Sequence, residues 1–220
     1  MRLRLGLLAP LLFVLSCPLP AAGRGLPAAA AEPFTPPPLA PLPEDDALRG
    51  AYLDAYRILS DENSCSAFYG GASASLAVLN RMVAAIRKGE LDEVGVGMRM
   101  SGEVTYVKDS RTGARFRLFG KMTLNARGIF YDRTRFRAPL GFDDPLLVKS
   151  DVRQMRVTVL LHELAHLVEG PDGRWLIPND GGDARQSFLN TRAVMERCGR
   201  RVKVLAGGPE VREPLTARAP

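Results

Sequence analysis

The spacing of apolar residues predicts two amphipathic helices in the first half of the chain. The first follows an acidic stretch, Glu44 to Asp46, that suits a helix N-terminus, and it has these apolar positions: Leu48, Tyr52, Ala55, Tyr56 and Leu59. The second has a comparable series: Leu76, Leu79, Met82, Val83 and Ile86. We expect it to stop at Lys88-Gly89, a basic last turn followed by a glycine.

Near Val94 the pattern changes to an alternation with a period of two residues, which is typical of strands. Apolar residues alternate with small or polar ones as far as Met100, and Glu103 to Val107 is rich in strand formers. After a turn at Asp109 to Gly113, two more strands are predicted, interrupted by Gly120 and by a turn at Asn125 to Gly128. Their apolar positions are Phe116, Leu118, Met122, Leu124, Ile129 and Phe130. Together these segments predict a small antiparallel sheet.

Two further helices are predicted after the strands. Ser150 or Asp151 can cap the first of them, which runs from about Val152 to Val168 and ends at a Gly-Pro pair. A loop rich in glycine, proline and aspartate, Gly170 to Gly182, then leads to a last helix from about Ala184 to Cys198. The order of elements favours an α+β fold.

The composition along the chain divides it into four parts. Residues 1–16 begin with a basic pair and continue with an apolar run that is long enough for a secretory signal and too short to span a bilayer. An Ala/Pro-rich linker follows at 17–43, and its prolines favour extended chain. The folded domain is expected at 44–206, and a flexible tail at 207–220.

The end of the signal segment allows two interpretations. The sequence VLSC, Val14 to Cys17, resembles a bacterial lipobox, in which the cysteine would be lipidated and the linker would tether the domain to a membrane. Pro18 after that cysteine then implies the outer membrane. Alternatively, an ordinary signal peptidase would cleave near residues 22–31. Both interpretations predict an exported protein that is periplasmic, anchored in the outer membrane or extracellular.

Two cysteines remain besides Cys17. Export places Cys65 and Cys198 in an oxidising compartment, where an even pair is a disulfide candidate. Their other interpretation is two separate buried thiols. A disulfide between them would join an early segment of the domain to its last helix.

The charge balance bears on partners. The chain has 30 lysines and arginines against 24 acidic residues, a formal net charge of +6. The excess has no interleaved aromatic residues and no nucleic-acid motif, so we expect a solvated basic face and no nucleic-acid partner.

Both histidines of the chain lie in one short stretch, LLHELAHLVEG, from Leu160 to Gly170. His162 and His166 are four residues apart, so on a helix they share a face and can direct imidazole nitrogens to one ion at about 2.0–2.1 Å. Glu163 is poorly placed to be a third ligand, but it can accept a proton from water and pass it to a leaving amine.

The segment HELAH resembles the zincin metallopeptidases, in which HExxH supplies two zinc ligands and a catalytic glutamate. The resemblance implies a zincin-like fold, a Zn²⁺ cofactor bound by His162 and His166, Glu163 as the general base, and a peptide or protein substrate. The apolar flanks of the motif agree, since they predict a buried central helix in which unpartnered histidines would be costly.

A third zinc ligand has to be a carboxylate, because no histidine is left. Asp180 is the preferred candidate, since the glycines around it let the backbone turn back towards the first helix. Asp183 is an alternative, although it can cap the last helix in a capping box with Gln186. Asp172 and Glu196 rank lower, because neither has the sequence context that zincins give such a ligand.

The surroundings of the motif suggest supporting roles. One side of the last helix carries Ser187, Asn190 and Thr191, which either orient the zinc ligands or face water. A strand at Met122 to Tyr131 would hold a peptide substrate by β-augmentation, and Tyr131 would steady an oxyanion. The competing class of function is a non-enzymatic envelope lipoprotein with a structural or vestigial metal site.

Overall fold

The computed structural model describes residues 38–92, 96–135 and 149–206. The predicted signal segment, the lipobox with Cys17, nearly all of the Ala/Pro-rich linker and the predicted tail lie outside the described residues. Helices and a three-stranded sheet share one hydrophobic core, so the expected α+β class is confirmed.

Five helices are present in the described residues: α1 (Asp46–Ser60), α2 (Ser64–Phe68), α3 (Ala72–Ala85), α4 (Val152–Leu167) and α5 (Ala184–Lys203). Side chains cap the predicted N-termini. Asp45 accepts a hydrogen bond from the amide of Leu48 at the start of α1, and Asp151 forms a capping box with Gln154 at the start of α4. The last helix extends five residues beyond the Cys198 boundary that was predicted.

The sheet is mixed, and the prediction of a purely antiparallel sheet is wrong. Its strands are β1 (Ile86–Gly89), β2 (Met98–Lys108) and β3 (Arg115–Asn125), in the order β1-β3-β2. β2 and β3 are antiparallel, whereas β1 pairs parallel with β3, with Ile86 opposite Met122. The last turn predicted for the second helix is therefore β1, because residues distant in sequence supply its hydrogen-bonding partners.

Two other strand predictions need correction. The predicted interruption at Gly120 is absent, because β3 runs through Gly120 as one strand, and its partner β2 has a register shift between Ser101 and Val104. Ile129 and Phe130 were expected in a strand but lie in a turn. Phe130 is nevertheless fully buried, so its apolar character reflects the core and not a sheet face.

Helix α4 is the centre of the domain, as its apolar flanks predict. It packs against α1, α3, α5 and β3, and every residue from Met155 to Leu167 except Arg156 is buried. Near its N-terminus Arg153 forms a bidentate ion pair with Asp54 of α1, with Nε–Oδ2 and Nη2–Oδ1 distances of 2.6 and 2.8 Å. These contacts fix the direction in which α4 presents its histidines.

A disulfide joins Cys65 in α2 to Cys198 in α5, with 4.5 Å between the two Cα atoms. The predicted pairing is confirmed, and it agrees with an oxidising compartment. None of the helices in residues 38–92, 96–135 and 149–206 has the length and hydropathy needed to cross a membrane.

Candidate metal centre

The two histidines of α4 point their Nε2 atoms at the same place. The Nε2 atoms of His162 and His166 are 3.1 Å apart, and the ring centroids are 4.8 Å apart. Each residue is 5% exposed, so both rings are largely shielded from solvent. This arrangement follows from the four-residue spacing on a helix, which stacks the side chains one turn apart.

Asp180 completes a cluster of three potential ligands. Its Oδ2 lies 3.1 Å from Nε2 of His162, and its Oδ1 lies 3.4 Å from Nε2 of His166. Four ligands placed tetrahedrally at 2.0–2.1 Å from zinc are separated from one another by about 3.3–3.4 Å. The three side chains therefore have the donor types and the spacing to hold one ion.

The loop before α5 delivers the Asp180 carboxylate, and α5 fixes it. Gly181 and Gly182 both have positive φ angles, of 60° and 80°, which let the chain turn directly after Asp180. The side-chain amide of Asn190 donates to Oδ1 of Asp180 at 2.5 Å and to the carbonyl of Pro178 at 2.8 Å. Both hydrogens of one amide thus hold the loop in place.

Asp183 and Glu196, two of the alternative third ligands, are engaged elsewhere. Asp183 caps α5 by accepting from the amides of Arg185 and Gln186. The expected capping box is absent, because the Gln186 side chain donates to Oδ1 of Asn190 instead. Glu196 is exposed and forms an ion pair with Arg192 at 3.5 Å.

Asp172 lies in an exposed turn, where it accepts from the amide of Arg174. Within the described ranges, the group of metal-binding residue types that comes together is His162, His166 and Asp180, and Asp172 is not part of it.

Glu163 is a buried carboxylate without a hydrogen-bonding partner. It is 9% exposed, and no described residue forms a hydrogen bond with its side chain. Burial raises the pKa of Glu163; the charges of His162 and His166 oppose this effect, and the charge of Asp180 adds to it. A carboxyl group whose pKa is raised by burial is better suited to accept and release a proton than an exposed one.

The ionisable groups of the cluster shift one another. Burial lowers the pKa of His162, but the hydrogen bond to Asp180 and the charges of Glu163 and Asp180 outweigh it, so the pKa is raised. Burial raises the pKa of Asp180, but hydrogen bonds with both histidines and with Ser187 leave it well below its usual range. The site therefore attracts positive charge, which either a proton or a metal ion can supply.

The polar strip on α5 faces the cluster. Thr191 Oγ1 lies 2.9 Å from Nδ1 of His162, and Ser187 and Asn190 contact Asp180. The interpretation that these residues orient the ligands, and do not face water, agrees with these contacts. Nδ1 of His166 is buried and has no hydrogen-bonding partner among the described residues.

Sequence reasoning missed one residue that touches the motif. Arg117 of β3 donates from Nε to the carbonyl of His166 at 2.8 Å, and its guanidinium lies over the Trp175 ring, 4.2 Å from the centroid. Trp175 stacks in turn on Tyr106 of β2, with 6.1 Å between ring centroids. The only signal in the sequence was a charged residue in a strand, which does not reveal that β3 passes the end of α4.

The expectations for Met122 to Tyr131 are not met. Met122 to Asn125 belongs to β3, the central strand, and is paired on both sides, so it offers no free edge to a peptide. The Tyr131 hydroxyl donates to Asp45 at 3.0 Å, and Lys88 lies over the Tyr131 ring. Tyr131 thus supports the N-terminus of α1, and its hydroxyl is engaged there.

Comparison of the chain with models of protein families, with curated proteins and with solved structures found no match. The chemistry of the centre is therefore inferred from its own geometry.

Proposed function

We propose that this protein is an exported zinc-dependent metallopeptidase that hydrolyses peptide bonds, with His162, His166 and Asp180 as the zinc ligands. One observation carries the proposal: the Nε2 atoms of His162 and His166 lie 3.1 Å apart, and each lies within 3.1–3.4 Å of an Asp180 oxygen, next to the largely buried Glu163. The HExxH spacing adds the resemblance to zincins.

Zinc and the protein side chains would have different roles in the reaction. Zinc, when bound, lowers the pKa of water and polarises the carbonyl of the scissile bond. The two imidazoles and the Asp180 carboxylate supply three ligands, which leaves a fourth position for water or substrate. The ion pair between Asp54 and Arg153 fixes the position of α4 and so holds the histidines next to the loop that carries Asp180.

Glu163 would move the proton. As a carboxylate it accepts a proton from the attacking water, and as the acid it donates that proton to the leaving amine. Burial raises the pKa of Glu163, so its ionised and protonated forms are closer in free energy at neutral pH than those of an exposed glutamate. A group in this role contributes about 10²- to 10⁴-fold to the rate.

Export remains part of the proposal. The disulfide is compatible with a periplasmic or extracellular location, and anchoring through a lipidated Cys17 stays a prediction from the sequence. Peptide or protein substrates follow from the reaction type.

Metal analysis combined with one substitution tests the proposal. The full-length chain is purified without a histidine tag, its metal content is measured by mass spectrometry, and hydrolysis of a mixed peptide library is followed. We expect zinc near one equivalent in the wild type and in Glu163→Gln, with hydrolysis lost only in the variant. Glu196→Gln, the same change at an exposed carboxylate, is the matched control and should keep full activity.

The other outcomes separate the alternatives. Zinc without hydrolysis in the wild type would support the non-enzymatic lipoprotein with a structural or vestigial site. Iron in place of zinc would contradict the peptidase, because two histidines and one carboxylate also form the facial triad of iron(II) oxygenases. A protein that binds no metal would remove the basis of the proposal.

A further inference from the structure

The hydroxyl of Thr191 has only one hydrogen, and the structure indicates where it goes. Thr191 Oγ1 lies 2.8 Å from the carbonyl oxygen of Ser187 and 2.9 Å from Nδ1 of His162. A carbonyl oxygen can only accept, so the contact with Ser187 uses the hydroxyl hydrogen. The contact with His162 then requires that Nδ1 carries the hydrogen and that Thr191 accepts it.

This assignment fixes the tautomer of His162. With Nδ1 protonated, the lone pair of the neutral ring is on Nε2, which faces Asp180 at 3.1 Å and His166 at 3.1 Å. Nε2 and the carboxylate are then both electron-pair donors that point at one location. Such a pair repels unless a proton or a metal ion lies between them.

We propose that Thr191 is a positioning residue for the metal. Its hydroxyl accepts the Nδ1 hydrogen of His162, which leaves the Nε2 lone pair of the neutral ring to bind the ion. Metal-binding histidines are commonly oriented by such a partner on the second nitrogen. The inference rests on the proposed metal site and adds a residue that does not itself touch the ion.

Neighbours on α5 make the arrangement rigid. Asn190 precedes Thr191 in sequence and holds Asp180, while Gln186 donates to Oδ1 of Asn190 at 2.9 Å and so fixes which end of that amide faces the loop. One helical segment, from Gln186 to Thr191, therefore orients a ligand from α4 and a ligand from the loop at the same time.

The decisive experiment compares zinc affinities, by competition with a fluorescent chelator, for the full-length wild type, Thr191→Val and Thr191→Ser. Valine has nearly the shape of threonine but no acceptor, so we expect an affinity about 10- to 100-fold lower. Serine keeps the hydroxyl and should restore an affinity within about threefold of the wild type. Thr191→Ala replaces the valine variant if circular dichroism shows that the latter is unfolded.

Thr158→Val is the matched control. Thr158 lies one turn before His162 on α4, is buried, and its hydroxyl donates to the sulfur of Met195 at 3.6 Å. The same change of side chain there alters packing between α4 and α5 without removing a partner of His162. We expect its zinc affinity to match that of the wild type.

A spectroscopic readout tests the tautomer directly. Because the chain has two histidines, ¹⁵N-histidine labelling of the untagged protein reports only on the proposed ligands. In the zinc-loaded wild type, one ring should show an Nδ1–H hydrogen that exchanges slowly with water. This protection should be lost in Thr191→Val and kept in Thr191→Ser and Thr158→Val.

The two proposals fail in different ways. Equal zinc affinity in the wild type and in folded Thr191→Val, or a His162 ring that carries its hydrogen on Nε2 and not on Nδ1 in the zinc-loaded protein, would overturn the role of Thr191 and leave the metal site standing. Absence of zinc binding in the wild type would overturn both.

Discussion

Helix α4 carries two buried groups of charged and polar side chains, and they are satisfied very differently. Near its N-terminus, Arg153 and Asp54 satisfy each other through two short hydrogen bonds, and Asp54 is 1% exposed. About two and a half to three and a half turns later, His162, Glu163 and His166 are also buried, with 5–9% of each residue exposed. There Glu163 has no hydrogen-bonding partner among the described residues, and the Nε2 atoms converge on a carboxylate.

The difference separates an ion pair with a structural role from a group that could hold a metal ion. A buried ion pair whose hydrogen bonds are complete needs nothing further, so it contributes to the position of the helix. A buried group with unused donors and acceptors is costly unless an additional ligand satisfies it. The comparison supports a stabilising role for the first part of α4, and the last part carries the metal site that we propose.

The largest effect on stability is expected from breaking the paired group. Asp54→Ala leaves the Arg153 guanidinium without its carboxylate, and loss of one partner of a buried pair costs about 3–5 kcal/mol. Because Arg153 is 16% exposed, we expect about 3 kcal/mol in urea-induced unfolding. Zinc affinity of the folded variant should be unchanged; a large loss of zinc binding would mean that the two groups are coupled.

The next largest effect is expected on zinc affinity, and it should distinguish Asp180 from Asp183, three residues later in the chain. Asp180→Ala should lower zinc affinity more than about 100-fold, because a ligand matters more than the partners that orient it. Asp183→Ala removes only a helix cap, so it should cost about 1 kcal/mol of stability and leave zinc binding intact. Isothermal titration with zinc and thermal unfolding measure the two effects. Unchanged zinc affinity in both variants would point to Asp172 or Glu196 as the third ligand.

A smaller effect concerns Asp45, another carboxylate whose hydrogen bonds are complete. Burial raises its pKa, but hydrogen bonds from the Leu48 amide, Lys88 and Tyr131 outweigh burial and lower it below 3.8. Its contribution is therefore present above pH 3.8 and is lost as the pH falls through the folded-state pKa. Asp45→Ala should cost about 1 kcal/mol at pH 7, and less at pH 2. A difference that is independent of pH would show that the charge plays no part.

The smallest effect has the opposite sign. Burial raises the pKa of Glu163, so ionisation of this group destabilises the metal-free fold as the pH rises from 4.5 through the folded-state pKa. Glu163→Gln should therefore stabilise the metal-free protein at pH 8 by about 0.5 kcal/mol, a modest gain because the amide is also buried. Denaturant unfolding at pH 8 and pH 4 measures it. Lower stability at pH 8 would indicate that the carboxylate already has a partner.

The sequence predicts the two helices of the site well, because local signals specify them. The span of α4 is within one residue of the prediction, and Asp151 caps it as one of two candidates. Asp183 marks the start of α5 for the same reason. Caps and apolar spacing act over a few residues, so a single sequence contains them completely.

Long-range pairing limits what the sequence can predict. The segment Ile86–Gly89 has the composition of a helix end, and only the parallel partner in β3 makes it a strand. Phe130 has an apolar side chain in a turn, because the core and not a sheet face buries it. Strand formation depends on such neighbours more than helix formation does.

The ligand set was partly accessible to sequence reasoning. Two histidines in one helix identified the site, and the lack of a third histidine made a carboxylate necessary. The glycines after Asp180 favoured this residue over Asp183, which had a cap to form. The direction of the hydrogen bond between Thr191 and His162 was out of reach, because it depends on how α5 is rotated against α4.

The disulfide has a consequence for the integrity of the protein after proteolysis. Cys65 and Cys198 are 133 residues apart, and the enclosed segment contains His162, Glu163, His166 and Asp180. A single backbone cleavage anywhere in that segment leaves two fragments that stay covalently linked. On a non-reducing gel the cleaved protein would migrate with its full mass, and a reductant would separate the fragments. As long as the disulfide is intact, the two helices of the centre would stay tethered to each other.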